Sequence, residues 1–218
     1  MTTKESFVIL SDFDGTIVTL DLAAYALEVF VGEQWKIFDE MYVRNKITLK
    51  ECIESQYTMF TNTKQEILAG IDDAIKFMPD FPDFVKFCRD KNITFEIVSA
   101  GLDFIIEHTL AKINLLNLTV YAVKAIEKEK SMEVSFIEDF YDPSSPDFKT
   151  DLVRRFKENY FVYYIGDGSS DFGAVMDADF TFAVKDSALS SFCEKKGIEF
   201  KEFLSFNDIK SYIESHHF

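Results

Sequence analysis

The chain has 218 residues, 47% of them hydrophobic, enough to build one domain of ordinary size or a core with a small insertion. Its formal charge of −15 carries no basic footprint and excludes a nucleic-acid binder as the natural class. Cys52, Cys88 and Cys193 are far apart and support neither a disulfide framework nor a zinc site, no apolar stretch approaches a membrane span, and the expectation is an acidic cytoplasmic enzyme.

Residues 7–10 are a short apolar run that predicts a strand buried on both faces, as in a parallel sheet. The run passes into Ser11-Asp12-Phe13-Asp14-Gly15-Thr16, two carboxylates spaced two apart and then a glycine that lets the chain turn. Unpaired charge at the end of a buried strand is costly, and a divalent cation would remove the difficulty, because hard cations prefer carboxylate oxygens. Asp-x-Asp by itself is better read as a polar strand exit. The full pattern is better read as a site.

After Thr16 the periodicity becomes helical. Leu20, Ala23, Ala24, Leu27 and Phe30/Val31 predict a helix over 20–31, and Trp35, Phe38, Met41 and Tyr42 another over 34–44. Thr48 with Glu51 forms a capping box for a third over 49–60, and Thr63 with Glu66 the same for a fourth. Four helices with no strand between them predict an all-helical insertion at 20–76, a lid placed after the first strand. The core is then 1–19 with 77–218.

Alternation resumes at Pro79. Pro82 sits early in a helix that Asn92 ends. Residues 93–98 are the next strand, and Ser99-Ala100-Gly101 is expected to turn the chain into a helix carrying Phe104, Ile105, Leu110 and Ile113. Residues 118–123 and 132–137 predict a hairpin with the charged tip Glu127-Lys128-Glu129-Lys130. Ser144-Ser145-Pro146-Asp147 starts a helix with Leu152, Val153 and Phe156 on one face. Residues 160–165 are a strand leading into Gly166-Asp167-Gly168-Ser169-Ser170-Asp171 and a helix at 172–177. A strand at 180–184, a helix capped by Asp186 or Ser187 and ending at Gly197, a strand at 198–201 and a helix at 206–215 complete the reading. The 24 phenylalanines carry no polar handle and are read mostly as core. The fold class is α/β, a doubly wound parallel sheet, whose ligands bind at the carboxyl ends of the strands.

Four polar signals fall at such ends. Asp12 and Asp14 follow the first strand. Ser99 follows the second, where a helix N-terminus binds phosphate well, although Ser99 alone reads as a cap. Lys149 stands in the first turn of a helix, where the dipole disfavours a cation. Such breaks often mark function, and a solvated lysine is the commoner case. Asp167 and Asp171 flank a Gly-Ser-Ser turn, which by itself reads as turn chemistry and an N-cap.

The ordered set Asp-Phe-Asp-Gly-Thr, Ser-Ala-Gly, Lys, Gly-Asp-Gly-Ser-Ser-Asp resembles the four motifs of the haloacid dehalogenase superfamily phosphatases. The helical insertion resembles their first cap type, found in phosphoserine phosphatases. The stretch 84–110, with Val98-Ser99-Ala100-Gly101-Leu102-Asp103-Phe104, looks closest to the methionine-salvage branch, which dephosphorylates an enol phosphate. Two departures are visible. Residues 118–148 lack the cysteine-rich stretch of that branch, and Ala100 stands where many relatives keep glycine.

The resemblance implies Mg²⁺-dependent hydrolysis of a small phosphate monoester through an aspartyl phosphate. Asp12 would be the nucleophile and Asp14 the general acid/base. The metal would sit on Asp12, Asp14 and Asp167, with Asp171 orienting its surroundings or Lys149. Asp12, Gly15, Thr16, Ser99, Ala100, Gly101 and Lys149 would hold the phosphoryl group. Asp21 is the candidate for substrate specificity, and a plain helix cap at Leu22 is its other reading. The partner implied is a small phosphorylated metabolite, with no nucleic acid and no membrane, and the sequence leaves the oligomeric state open. The alternatives are a phosphoserine phosphatase-like enzyme, and behind it a phosphomutase or a non-catalytic phosphate-binding protein.

Overall fold

A computed structural model describes residues 6–129, 131–136 and 147–218. Lys130, the strand end expected at Ile137 and the helix start at Ser144-Ser145-Pro146 lie outside the described residues.

The first apolar run is strand β1 (Phe7–Ser11), and Val8, Ile9 and Leu10 are wholly buried. It pairs in parallel with β2 (Thr94–Leu102) on one side and with β5 (Phe161–Gly166) on the other. Beyond β2 come β3 (Thr119–Glu127), parallel, and β4 (Met132–Ser135), antiparallel. Beyond β5 come β6 (Phe180–Val184) and β7 (Phe200–Phe203), both parallel. The order is β4-β3-β2-β1-β5-β6-β7. The chain builds outward from β1 in one direction and then returns to build in the other. The carboxyl ends of β1, β2 and β5 therefore meet at a switch point, where such sheets bind ligands.

Helices α1 (Leu22–Phe30), α2 (Lys36–Val43), α3 (Leu49–Tyr57) and α4 (Lys64–Ile71) all fall between β1 and β2. Both capping boxes form, at Thr48 with Glu51 and at Thr63 with Glu66. The two chain passages into and out of these helices run side by side. Val18 bridges Phe77, and the Thr19 N–H and Met78 N–H donate to Lys76 and Ile17 carbonyls at 2.9 and 2.8 Å.

Flanking the sheet are α5 (Phe81–Asp90), α6 (Asp103–Ala111), α7 (Phe148–Lys157), α8 (Phe172–Asp177), α9 (Ala188–Lys196) and α10 (Phe206–His217). Phe81, Phe84, Phe95 and Phe206 join α5, β2 and α10 through ring contacts with centroids 5.0 to 6.0 Å apart. Aromatic pairs at that spacing add to what their burial contributes. Pro82 lies in the first turn of α5, and Asn92 takes a positive φ of 55° just past its end.

One expectation is corrected. Ser99-Ala100-Gly101 does not open a helix. Strand β2 runs through it to Leu102, and α6 begins only at Asp103. The pairing of β2 with β3 slips between Val98 and Leu102, an irregularity that takes up the extra residues. Glycine after an apolar run signals a turn or a bulge equally well, and here it is the bulge.

Candidate active site

The site begins where β1 ends. Asp12 N–H donates to the Ile165 carbonyl at 2.8 Å, so the β1–β5 ladder carries one residue past the strand and sets the Asp12 backbone. The N–H groups of Ile17 and Val18 then return to the Phe13 carbonyl at 2.8 and 3.1 Å. Phe13 is wholly buried, and its side chain anchors this turn between the two carboxylates. Gly15 has φ 72°, a conformation that favours glycine, and a Cβ there would collide with the Asp167 carboxylate.

Lys149, the second residue of α7, is wholly buried. Its Nζ donates to Asp12 Oδ1 at 2.9 Å, Asp171 Oδ1 at 2.8 Å and Ser170 Oγ at 3.0 Å. Three donors and three acceptors satisfy the ammonium group, and the two carboxylates more than offset the unfavourable end of the helix dipole. Burial pulls the Lys149 pKa down, but Asp12 and Asp171 overcome it and hold the group above the ordinary lysine value.

Asp171 is held from every side. Oδ1 takes Lys149 and, at 2.8 Å, the Tyr164 hydroxyl. Oδ2 takes the N–H groups of Asp167 and Gly168, each at 3.1 Å. Gly166 is required beside it, because a Cβ there would strike Asp171. Asp171 thus ties Lys149 and the turn after β5 into one rigid unit.

Asp167 accepts the Thr16 hydroxyl at 3.0 Å. Thr16 was expected on the phosphate. Its hydroxyl is engaged by Asp167, and Gly15 packs against the same carboxylate. Asp12, Asp167 and Asp171 bring oxygens within 4.8 Å of one another. Burial first and Asp171 second push Asp167 up to about 7, and the same causes raise Asp12 well above its usual value against the pull of Lys149. Three crowded carboxylates with one lysine are a poorly balanced set, which an added hard cation would balance.

Asp14 accepts the Leu22 N–H at 2.8 Å, joining the first motif to the start of α1. Burial, and next Asp21, raise its pKa well above the usual carboxyl range. Across from it, Ser99 Oγ accepts the Gly101 N–H at 3.0 Å, which leaves the Ser99 hydroxyl proton for another acceptor. A Cβ at Gly101 would strike Asp14, so only glycine lets these two motifs approach.

Asp12, Asp14, Asp167, Ser99, Ala100 and Gly101 open onto one cavity of about 210 Å³. The helical insertion forms its far wall. Tyr57 OH donates to the Ala100 carbonyl at 3.1 Å and Tyr42 OH to the Ser169 carbonyl at 3.4 Å, clamping α3 and α2 onto the strand ends. Asp21 caps α1, accepting the Ala24 N–H at 2.7 Å, and also lines the cavity. Sequence reading did not single out Tyr164, Ser170, Tyr57, Gln56 or Asp39. Tyr164 lies inside an apolar strand run, and the others lie on helices or in a turn already explained by periodicity and turn chemistry.

The description "haloacid dehalogenase-like hydrolase" fits a family model that matches residues 9–176. The chain is 25% identical over 217 residues to a 2-hydroxy-3-keto-5-methylthiopentenyl-1-phosphate phosphatase of Brevibacillus brevis, covering 94% of each protein. It is 26% identical over 224 residues to the protein of the same name from Lysinibacillus sphaericus, covering 96% of each. Among solved structures it resembles a phosphoserine phosphatase in apo form, with TM-score 0.71 and 17% identity over 95% of this chain and 98% of that one. A phosphoserine phosphatase from T. onnurineus superposes with TM-score 0.68 and 16% identity, covering 98% and 97%. The structural likenesses bear on the fold.

Proposed function

The chain belongs to the haloacid dehalogenase-like hydrolase family and is a phosphatase, and from that premise we propose that it hydrolyses a small phosphate monoester on Asp12 with Mg²⁺ bound. The observation that carries the reading is the convergence of Asp12, Lys149, Asp167 and Asp171 at the ends of β1 and β5.

Asp12 is the nucleophile. It attacks phosphorus, the bond to the leaving alcohol breaks, and an aspartyl phosphate forms, which splits one hard step into two. Asp14 gives its proton to the leaving oxygen and then takes one from the attacking water. Burial raises both carboxyls, but Asp12 is the one paired to Lys149, and that pairing, with Mg²⁺ bound, would hold it as the attacking carboxylate while Asp14 keeps its proton for the leaving oxygen. The Ser99 hydroxyl holds a phosphoryl oxygen as charge moves onto it, and Lys149 acts from beneath Asp12, orienting the nucleophile and balancing the charge.

The crowded oxygens of Asp12 and Asp167 fit Mg²⁺, with the Asp14 backbone carbonyl as a further ligand and Asp171 behind them. Mg²⁺ bound there would neutralise the carboxylates and draw the phosphoryl oxygens toward the nucleophile.

Residues 20–76 act as a cap over a core of 1–19 and 77–218. The paired passages at Val18 and Phe77 support that division. The cap excludes bulk water from the cavity during turnover. The substrate reading that relatives favour is an enol phosphate of the 2-hydroxy-3-keto-5-methylthiopentenyl-1-phosphate kind. The apolar side chains of Ala23, Leu49 and Ile53 beside the polar end of the cavity suit such a molecule. The test is release of phosphate from a panel of phosphomonoesters with Mg²⁺, ranked by kcat/KM. Hydrolysis with the enol phosphate or a close ketose phosphate at the head supports the reading, and no release from any member overturns it.

A further inference from the structure

On the cap wall of the cavity, Leu49, Cys52, Ile53 and Gln56 share one face of α3, at spacings of three, four and seven. Three of them are apolar or a thiol. The fourth, Gln56, is only 7% exposed and lines the cavity. A ligand that displaces water from the cavity must pair with this amide or leave it unsatisfied at a cost in free energy. The charge around it has one sign. Asp12, Asp14, Asp21, Asp39 and Asp167 line the cavity, and no lysine, arginine or histidine does among the described residues. Lys149 is committed beneath Asp12.

We infer that Gln56 reads the leaving group, hydrogen-bonding a hydroxyl or carbonyl of it, and that the cavity takes phosphomonoesters whose leaving group carries no carboxylate. The inference rests on the phosphatase reading above and narrows its substrate class. An amide offers both a donor and an acceptor, so it pairs with a neutral oxygen without bringing charge. A carboxylate on the substrate would face the cap carboxylates Asp21 and Asp39 with no cation to meet it, and like charges brought together in a crevice are strongly disfavoured. The neutral amide at position 56 is what separates this cavity from one that would accept an acidic leaving group, because an arginine there would bring the missing charge.

Two measurements test this. In the wild type, glycerol 3-phosphate and 3-phosphoglycerate compare the same skeleton with and without a carboxylate. We expect kcat/KM to favour glycerol 3-phosphate by on the order of a hundredfold. Equal values overturn the carboxylate exclusion, and no turnover of either or of p-nitrophenyl phosphate overturns the phosphatase reading instead. In Gln56→Met, which keeps the volume, the ratio of kcat/KM on dihydroxyacetone phosphate to that on propyl phosphate should fall about tenfold relative to wild type. An unchanged ratio removes Gln56 from leaving-group recognition while leaving the chemistry intact. In Gln56→Arg, the preference against 3-phosphoglycerate should shrink or reverse, and an undiminished preference overturns the charge argument. The wild-type comparison stands whatever the variants' stability.

Discussion

Lys149 Nζ lies 2.9 Å from Asp12 Oδ1, with both side chains all but closed to solvent. A buried pair of this kind is weak evidence for stability, since desolvation offsets much of the attraction. Its value is geometric. The lysine fixes the direction of the Asp12 carboxylate from beneath it, with its own charge ensured by Asp171.

Removing that lysine should therefore cost both rate and stability. Lys149→Ala should lower kcat by about 10²–10³, the scale of losing one preorganised donor at a site of developing charge. It leaves Asp12 and Asp171 buried without their cation, so it should also destabilise the fold by about 3–5 kcal/mol unless a proton or metal compensates. Steady-state kinetics and chemical denaturation of the same preparation check both. Lys124→Ala, on the exposed part of β3, should change neither. Lys130, the other hairpin lysine, lies outside the described residues.

Asp12→Asn should abolish turnover and keep the fold. The amide cannot form an acyl phosphate, and the substitution removes one of three crowded carboxylates. Circular dichroism should be unchanged, and trapping with labelled substrate should find no phosphoprotein. A verified Asp12→Asn sample with wild-type activity would sink the mechanism.

Chelation should stop the reaction, and Mg²⁺ should restore it where Ca²⁺ does so poorly. The protein offers few oxygens, while Ca²⁺ takes six to eight in looser geometry and would misplace the nucleophile. Binding can be read without turnover, because at a hundred times its dissociation constant Mg²⁺ should raise the unfolding free energy by about 2.7 kcal/mol. Asp167→Asn should remove most of that increment. Full activity after exhaustive chelation would refute the metal roles of Asp12 and Asp167.

Gly15→Ala should weaken metal binding through a residue that touches no metal. The position has φ 72°, and the new Cβ would push into Asp167. The conformational part should cost about 1 kcal/mol or more. Displacement of Asp167 should raise the Mg²⁺ concentration for half-maximal activity. A variant with normal metal dependence would show that Asp167 has room to move.

Asp21 has two duties that kinetics can separate. As the N-cap of α1 it accepts the Ala24 N–H at 2.7 Å, and Asp21→Ala should lower stability by about 1 kcal/mol. If that were all, kcat/KM would fall alike for amine-bearing and neutral phosphates. We expect a larger loss for an amine-bearing phosphate than for a neutral sugar phosphate, because Asp21 also lines the cavity beside Asp39. Equal losses leave Asp21 as a cap alone.

Local signals carried most of the fold. Short apolar runs and period-3.6 patterns located the strands and helices, and both capping boxes formed as read, since these depend on residues within one turn of each other. Ser99-Ala100-Gly101 failed for the same reason. The stretch is compatible with a turn or a bulged strand, and its pairing with β3, more than twenty residues on, decided for the bulge.

The sequence by itself determined the chemistry on offer: which residues supply carboxylates, an ammonium group and a hydroxyl, and that each stands at the end of a strand or the start of a helix. Only the tertiary structure decided how they are used. It gave Thr16 to Asp167, buried Lys149 between Asp12 and Asp171, and brought Tyr164 from inside an apolar strand to hold Asp171. It also set Gln56 on the cap wall of the cavity. Those roles depend on contacts between residues far apart in the chain. Residue type and spacing are local quantities, whereas hydrogen-bond satisfaction and charge balance are settled only once the strands have brought their ends together.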